Sequence, residues 1–265
     1  MSADHTDANA VVLCEIIDHH IAVLRLNRPE KRNAVNGALA RTLEALVQQV
    51  EADGQIRVAI LTSSSPGFFS AGADLGEIAA GRGRELGTRD GGFAGFVDYP
   101  KLKPWIAAVS GPALAGGCEL ALACDMIVCA DDSRFGLPEV KRGLFAAAGG
   151  VHRLPRALPR AIALELIATG DPLDAARAER YGLVNAVVPA GEVLDRALML
   201  ARAISINAPL SVRESLKLAR LAAELSDTEM RRLSAETAKV VMTSEDAKEG
   251  PLAFLQKRAP NWVGH

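Results

Sequence analysis

The chain has 265 residues, 49% hydrophobic and 23% charged, a balance that supports a substantial globular core and excludes a disordered or collagen-like polymer. A formal net charge of -2 provides no global field for nucleic acid or an anionic membrane, so any anionic ligand must be met by local basic groups. The four cysteines (Cys14, Cys118, Cys124, Cys129) fall mostly in apolar runs without C-x-x-C spacing, as reduced core residues do, and not as a disulfide framework or zinc site.

The first ten residues, MSADHTDANA, have neither a basic stretch nor an apolar one, and lack the arginines of a transit peptide, so no leader is read there. No apolar run is long enough to span a bilayer, and a soluble, cytoplasmic protein is expected. Residues 20–29, HIAVLRLNRP, read as a strand stopped by Pro29. Residues 38–53 carry Leu39, Leu43, Leu46, Val47 and Val50 at helical spacing. The run VAILTSS that follows is β-branched and continuous, as in a strand buried on both faces. It leads into PGFFSAGADLGEI, a glycine-rich turn that opens a helix near Asp74. Residues 80–104 are rich in glycine and charge with weak periodicity, and are read as loop or mobile helix. Residues 104–130 repeat the plan of strand, glycine turn, helix and strand, the last from about Met126. RFGLPEVKRGLFAAAGG is a further turn with short helical pieces. Beyond it the chain reads as helices over 159–169, 173–181, 193–207, 209–224, 227–243 and 244–258, with one short strand in GLVNAVVP. This is an α/β core with a helical C-terminal region, divided as 1–195 and 196–265, with a soft boundary at 190–205.

Two strand–glycine–helix turns, FSAGADL and ALAGGCEL, carry the most chemistry. A helix start offers unpaired backbone N–H groups and a partial positive charge, and small residues let a ligand atom approach them. One N–H from each turn aimed at one point would form an oxyanion hole; the plainer alternative is two tight connections, with Asp74 as a helix cap. Glu119 stands out because it follows a Gly-Gly pair inside an almost wholly apolar run, where an unpaired carboxylate is costly. Glu139, in FGLPEVKRG, is either a loop carboxylate or its partner; two desolvated carboxyls near each other would have one pKa raised and could exchange protons with a water. Phosphate cradles are disfavoured, since there is no G-x-x-x-x-G-K-[ST] and GRGREL follows no strand. Ser70 and Ser110 lie in no G-x-S-x-G elbow, and adjacent His19 and His20 would point to opposite faces of a strand, so neither a serine hydrolase nor a metal centre is expected.

Taken together in order, NRPEKRNAV, FSAGADL, VSGPALAGGCELALACD, FGLPEVKRGL, AAGGVHRLPR and YGLVNAVVP resemble the crotonase superfamily, specifically its enoyl-CoA hydratases, over about residues 11–262. The resemblance implies a spiral of ββα units with a helical trimerisation region, assembled as a homotrimer or homohexamer. It implies an acyl-CoA thioester substrate, with coenzyme A as part of the substrate and no separate cofactor, metal, nucleic acid or membrane partner. By motif position it assigns the oxyanion donors to Ala73 and Gly116 and the two catalytic glutamates to Glu119 and Glu139. Isomerases and several other branches usually lack one of that pair, so the implied reaction is hydration of a trans-2-enoyl-CoA to 3-hydroxyacyl-CoA. Around the coenzyme the resemblance places Lys31, Arg32, Ala71, Asp74 and Leu75, with Phe254 and Lys257 of the last helix often serving a neighbouring subunit. The loop from Ala79 to Lys103, with Phe93, Phe96 and Tyr99, is implied to line the acyl pocket. Two departures stand out: Ala146-Ala147 replaces a common Pro-Gly, and Ala115 replaces the first of three glycines. Alternatives on the same scaffold are an isomerase, a carnitinyl-CoA-type dehydratase, a thioester hydrolase or a non-catalytic CoA-binding subunit.

Overall fold

The computed structural model describes residues 10–265, so the reading of the N-terminal segment as leaderless lies almost entirely outside the described residues. The chain opens with β1 (Val12–Ile17) and β2 (Ile21–Leu26), an antiparallel pair. Helix α1 (Gly37–Ala52) starts where Asn36 accepts the amide of Leu39, and it buries Leu39, Leu43, Val47 and Val50 along one stripe. Then follow β3 (Val58–Ser63), the short α2 (Leu75–Ala79) and a hairpin of β4 (Gly87–Thr88) and β5 (Gly92–Phe93). The second pass contains β6 (Trp105–Val109), β7 (Pro112–Leu114), α3 (Gly116–Leu122), β8 (Met126–Ala130) and β9 (Arg134–Gly136). The third contains α4 (Gly150–Ala157), α5 (Arg160–Thr169), β10 (Leu173–Asp174), α6 (Ala175–Arg180) and β11 (Ala186–Val188). Four helices close the chain: α7 (Val193–Ser205), α8 (Pro209–Leu221), α9 (Asp227–Met242) and α10 (Glu245–Gln256).

The main sheet runs β1-β2-β3-β6-β8-β11, parallel from β2 onward, and a smaller sheet runs β10-β9-β7. Alternation along β2 and β3 divides the core. Ala22, Leu24, Ala59 and Leu61 face α1 and the smaller sheet, while Ile21, Val23, Val58 and Ile60 face α7. The expected boundary at 195 falls in the first turn of α7, whose Val193, Ala197, Leu198 and Ala201 pack on the sheet. Beyond it the helices bury little: α8 only Pro209, α9 nothing, α10 Asp246 and Ala253.

Several elements differ from the sequence expectation: residues 80–104 contain the β4–β5 hairpin, and the short strands β7 and β9 lie in segments read as turns, too brief to show a residue pattern. β1 was not anticipated: as an edge strand it buries only Val12 fully, and Glu15 interrupts its apolar residues. The helix expected over 173–181 begins at Ala175: Asp174 caps it by accepting the amide of Arg177 at 2.8 Å, which leaves Leu173 and Asp174 extended and paired with β9. Among the described residues no helix is long and apolar enough to cross a membrane.

Candidate active site

The first glycine turn follows β3 and the second follows β7, the short strand entered directly from β6, so both lie beyond the C-terminal ends of the adjacent parallel strands β3 and β6, where open α/β sheets place ligands. The first turn is held from both sides. Asn33, buried, donates to the carbonyl of Phe69 at 2.9 Å and to Ser63 Oγ, while its own carbonyl accepts Ser70 Oγ. Amides of Ala71, Val35 and Asp74 then pair with carbonyls of Arg32, Gly72 and Val35, so residues 32–35 run alongside 71–74. Ser70 is thus consumed as a structural hydroxyl. On the other side the amide of Leu114 donates to Ser70 O, which brings the second turn alongside the first. The approach is so close that a Cβ on Gly72 (φ +85°) would lie 2.6 Å from Gly116 N and 2.9 Å from Ala115 Cβ. The amides of Ala73 and Gly116 therefore stand side by side, and neither donates to a protein acceptor among the described residues. Ala115 itself sits at φ 51°, ψ -128°, a conformation that costs an alanine on the order of 1 kcal/mol and turns the chain into α3.

Parallel pairing of β7 with β9 joins Leu114 to Gly136, so α3 and the short turn Pro138–Arg142 leave the same end of the smaller sheet. That register brings Glu119 and Glu139 to one cavity of about 1060 Å³. Glu119 is buried, and its Oε1 accepts the amide of Gly150, the first residue of α4, at 2.8 Å. Burial pushes its carboxyl up to about 7; the Gly150 amide opposes the rise, the charge of Glu139 adds to it, and the Ala148 amide and the Arg153 guanidinium also oppose it. Burial likewise raises Glu139, against its own backbone amide, and its buried Oε2 has no hydrogen-bond partner.

The same cavity is lined by Ala73 and Gly116, and by Arg32, Ala71 and Leu75 of the expected coenzyme-binding group. Arg32 stacks over the Phe68 ring at 5.0 Å. The others lie elsewhere. Lys31 is exposed beside the cavity-lining Arg32 and does not line the cavity itself. Asp74 caps α2 through the amide of Gly76 at 3.0 Å and pairs with Arg28 at 3.4 Å. Phe254, 83% exposed, and Lys257 sit at the end of α10, off the chain's own cavity. Of the three aromatic residues in the expected acyl loop only Phe93 reaches the cavity, its ring against the Cα of Gly116. Phe96 packs edge-on to Trp105 in the core, and Tyr99 lines a separate pocket.

Sequence reasoning passed over Arg84, Arg89, Arg142 and Phe145, which also line the cavity, and Gly150, whose amide holds Glu119. A signal for the last existed: Gly149-Gly150 before a helix repeats the Gly116-Gly117 pattern. Chemically, the site offers two carboxyls with raised proton affinity and two free amides around one open, mostly apolar cavity.

Residues 17–265 match the family described as enoyl-CoA hydratase/isomerase. Carnitinyl-CoA dehydratase of Salmonella arizonae is 43% identical over 250 residues, spanning 92% of this chain and 95% of that protein. Carnitinyl-CoA dehydratase of Proteus mirabilis is 43% identical over 244 residues, spanning 90% and 93%. The crystal structure of an enoyl-CoA hydratase from Mycobacterium tuberculosis H37Rv matches with a TM-score of 0.92 and 45% identity, over 97% of this chain and 100% of that one.

Proposed function

The chain belongs to the enoyl-CoA hydratase/isomerase family of the crotonase superfamily, and from that premise we propose that it adds water reversibly across the 2,3-double bond of an enoyl-CoA thioester. The observation that carries this reading is the pair of carboxyls: buried Glu119 with a pKa near 7, and Glu139 with a buried oxygen free to accept, in one cavity with two unpaired amides. In hydration, the ionised member of the pair takes a proton from water as the water oxygen bonds to the β-carbon. The π electrons move to the thioester oxygen, and the amides of Ala73 and Gly116 stabilise that enolate. The protonated member then gives its proton to the α-carbon. Burial pushes both carboxyls toward the protonated form, Glu119 to about 7, so the pair exchanges protons near neutral pH.

Elimination of water from a 3-hydroxyacyl-CoA is the same path in reverse, so the acyl group is what separates this reading from that of a carnitinyl-CoA dehydratase. A carnitinyl group carries a quaternary ammonium. Four arginines line this cavity (Arg32, Arg84, Arg89, Arg142) with no carboxylate partner among the described residues, whereas Asp98 is engaged by Arg153. Such a lining favours an uncharged enoyl chain.

The test is loss of the enoyl absorbance of crotonyl-CoA without release of thiol, which separates hydration from thioester hydrolysis. Glu119→Gln and Glu139→Gln should each lower kcat by about 10²–10⁴-fold. Near-wild-type hydration by either variant rejects the proposal, and a higher kcat/KM for crotonobetainyl-CoA than for crotonyl-CoA moves the assignment to the carnitinyl substrate.

A further inference from the structure

We propose that Arg153 is a positioning residue for the acid–base glutamate: it locks the turn that hydrogen-bonds Glu119 and ties that turn to the loop carrying Phe93. The inference rests on the hydratase reading only for its consequence in catalysis; the contacts stand independently of it.

Glu119 receives the amide of Gly150 at 2.8 Å and is also acted on by the amide of Ala148, and its setting therefore depends on what fixes residues 148–150. Gly149 adopts φ +105°, and the guanidinium of Arg153 lies across it so closely that a Cβ added there would collide with Nη1. Nη1 donates to the carbonyl of Ala148 at 2.8 Å, and the amide of Arg153 donates to the carbonyl of Gly149 at 2.8 Å. The turn is thus wrapped around one side chain, one helical turn after it.

The other arm of the fork reaches a different part of the chain. Nη2 donates to the carbonyl of Val97 at 2.9 Å and to Asp98 Oδ1 at 3.4 Å. Val97 and Asp98 continue the β4–β5 hairpin, and the amide of Asp98 donates back to Gly91. Phe93 in that hairpin presses on Gly116, the second oxyanion donor. A planar, five-donor group therefore spans the glutamate-holding turn and the segment against the oxyanion hole, a task a point charge cannot perform.

The groups around this arrangement can be named. Glu119 is faced by Glu139 from the turn after β9, by the Cys118 thiol of its own helix, which burial keeps protonated, and by Arg153 from α4. Arg153 is faced by Asp98 and Lys101 from the loop and flanked by His152 and Arg156. The positive charge of Arg153 favours the ionised form of Glu119, so its loss drives the carboxyl further up.

The experiment compares Arg153→Met, which removes charge and fork, with Arg153→Lys, which keeps charge alone. The titration of Glu119 is followed by NMR of protein labelled with ¹³C at the glutamate carboxyls, with Glu119→Gln identifying the resonance. Arg153→Met should raise the midpoint above that of the wild type. Arg153→Lys should leave the midpoint in place yet lower kcat by about 10- to 100-fold, as a displaced reacting group does. Both should speed hydrogen exchange at the Gly150 amide. An unmoved Glu119 midpoint in Arg153→Met, or wild-type kcat in Arg153→Lys, overturns the proposal. If Arg153→Met does not fold, Arg153→Lys decides the matter by kcat and Gly150 exchange. A wild-type enzyme that hydrates no enoyl-CoA would defeat the functional reading while the titration and exchange still report on Arg153.

Discussion

At Glu119 the burial that tunes the acid also burdens the fold. Its carboxyl rises from an ordinary value of 4.5 to about 7, so folding takes up a proton at this position. The group's contribution favours the native state fully below about pH 4.5 and is lost as the pH rises through about 7. Glu119→Gln keeps an oxygen for the Gly150 amide and removes the ionisation. This variant should therefore be more stable than wild type at pH 8, by on the order of 2–3 kcal/mol, with the gap closing toward pH 5. Urea denaturation at the two pH values checks it; a gap that is constant with pH would mean that Glu119 is not the group so strained. The residue was conspicuous in the sequence for this very reason, as a carboxylate in an apolar run after Gly116-Gly117. Its partner was not. Glu139 meets it only through the β7–β9 register, a non-local pairing that no spacing along the chain reports.

Among the elements, legibility followed burial. β3, sealed on both faces, and α1, with one continuous stripe, were plain in the residue pattern. The caps at Asp74 and the paired glycine turns were legible as well, because each uses a residue type with a single strong local reason. The half-solvated edge strand β1 was not, and neither was the service of NRPEKRNAV, where Asn33 and the backbone of residues 32–35 brace the first oxyanion turn. The attachment of the C-terminal helices was likewise hidden. Arg220 on α8 grips both oxygens of Asp125 at 2.7 Å and the carbonyls of Lys101 and Lys103, and Asp125 also accepts the amide of Trp105 at 2.8 Å. One partly buried fork thus joins the helical region to the strand that precedes the second glycine turn. Arg220→Met should cost about 2–3 kcal/mol, since it leaves Asp125 and two carbonyls short of a donor. Hydrogen exchange should quicken in α8 and residues 101–105 while β2 and β3 stay protected. Uniform protection across α8 would show the fork to be dispensable.

For the whole molecule, the crotonase fold with its helical C-terminal region is what the six motifs implied, and the remaining question is what the outer helices face. Within one chain α9 buries no residue, and Val240, Met242, Phe254 and Leu255 are 53%, 73%, 83% and 78% exposed. Exposed apolar side chains on helices that bury so little within their own chain are characteristic of an interface. Phe254 and Lys257, expected at the coenzyme, do not line the chain's own cavity, and we propose that they serve a neighbouring subunit, as the family resemblance implies. The trimer or dimer of trimers that the family resemblance implies remains our proposal, and it predicts three or six times the 27.9 kDa chain by light scattering. On that proposal, replacing Phe254 and Leu255 together by Asp should shift the mass toward a single chain and raise the KM for an enoyl-CoA. A double variant that keeps the parent mass and KM would detach α10 from both assembly and coenzyme binding, and would leave Arg32 with Ala71 and Leu75 as the residues that meet the coenzyme.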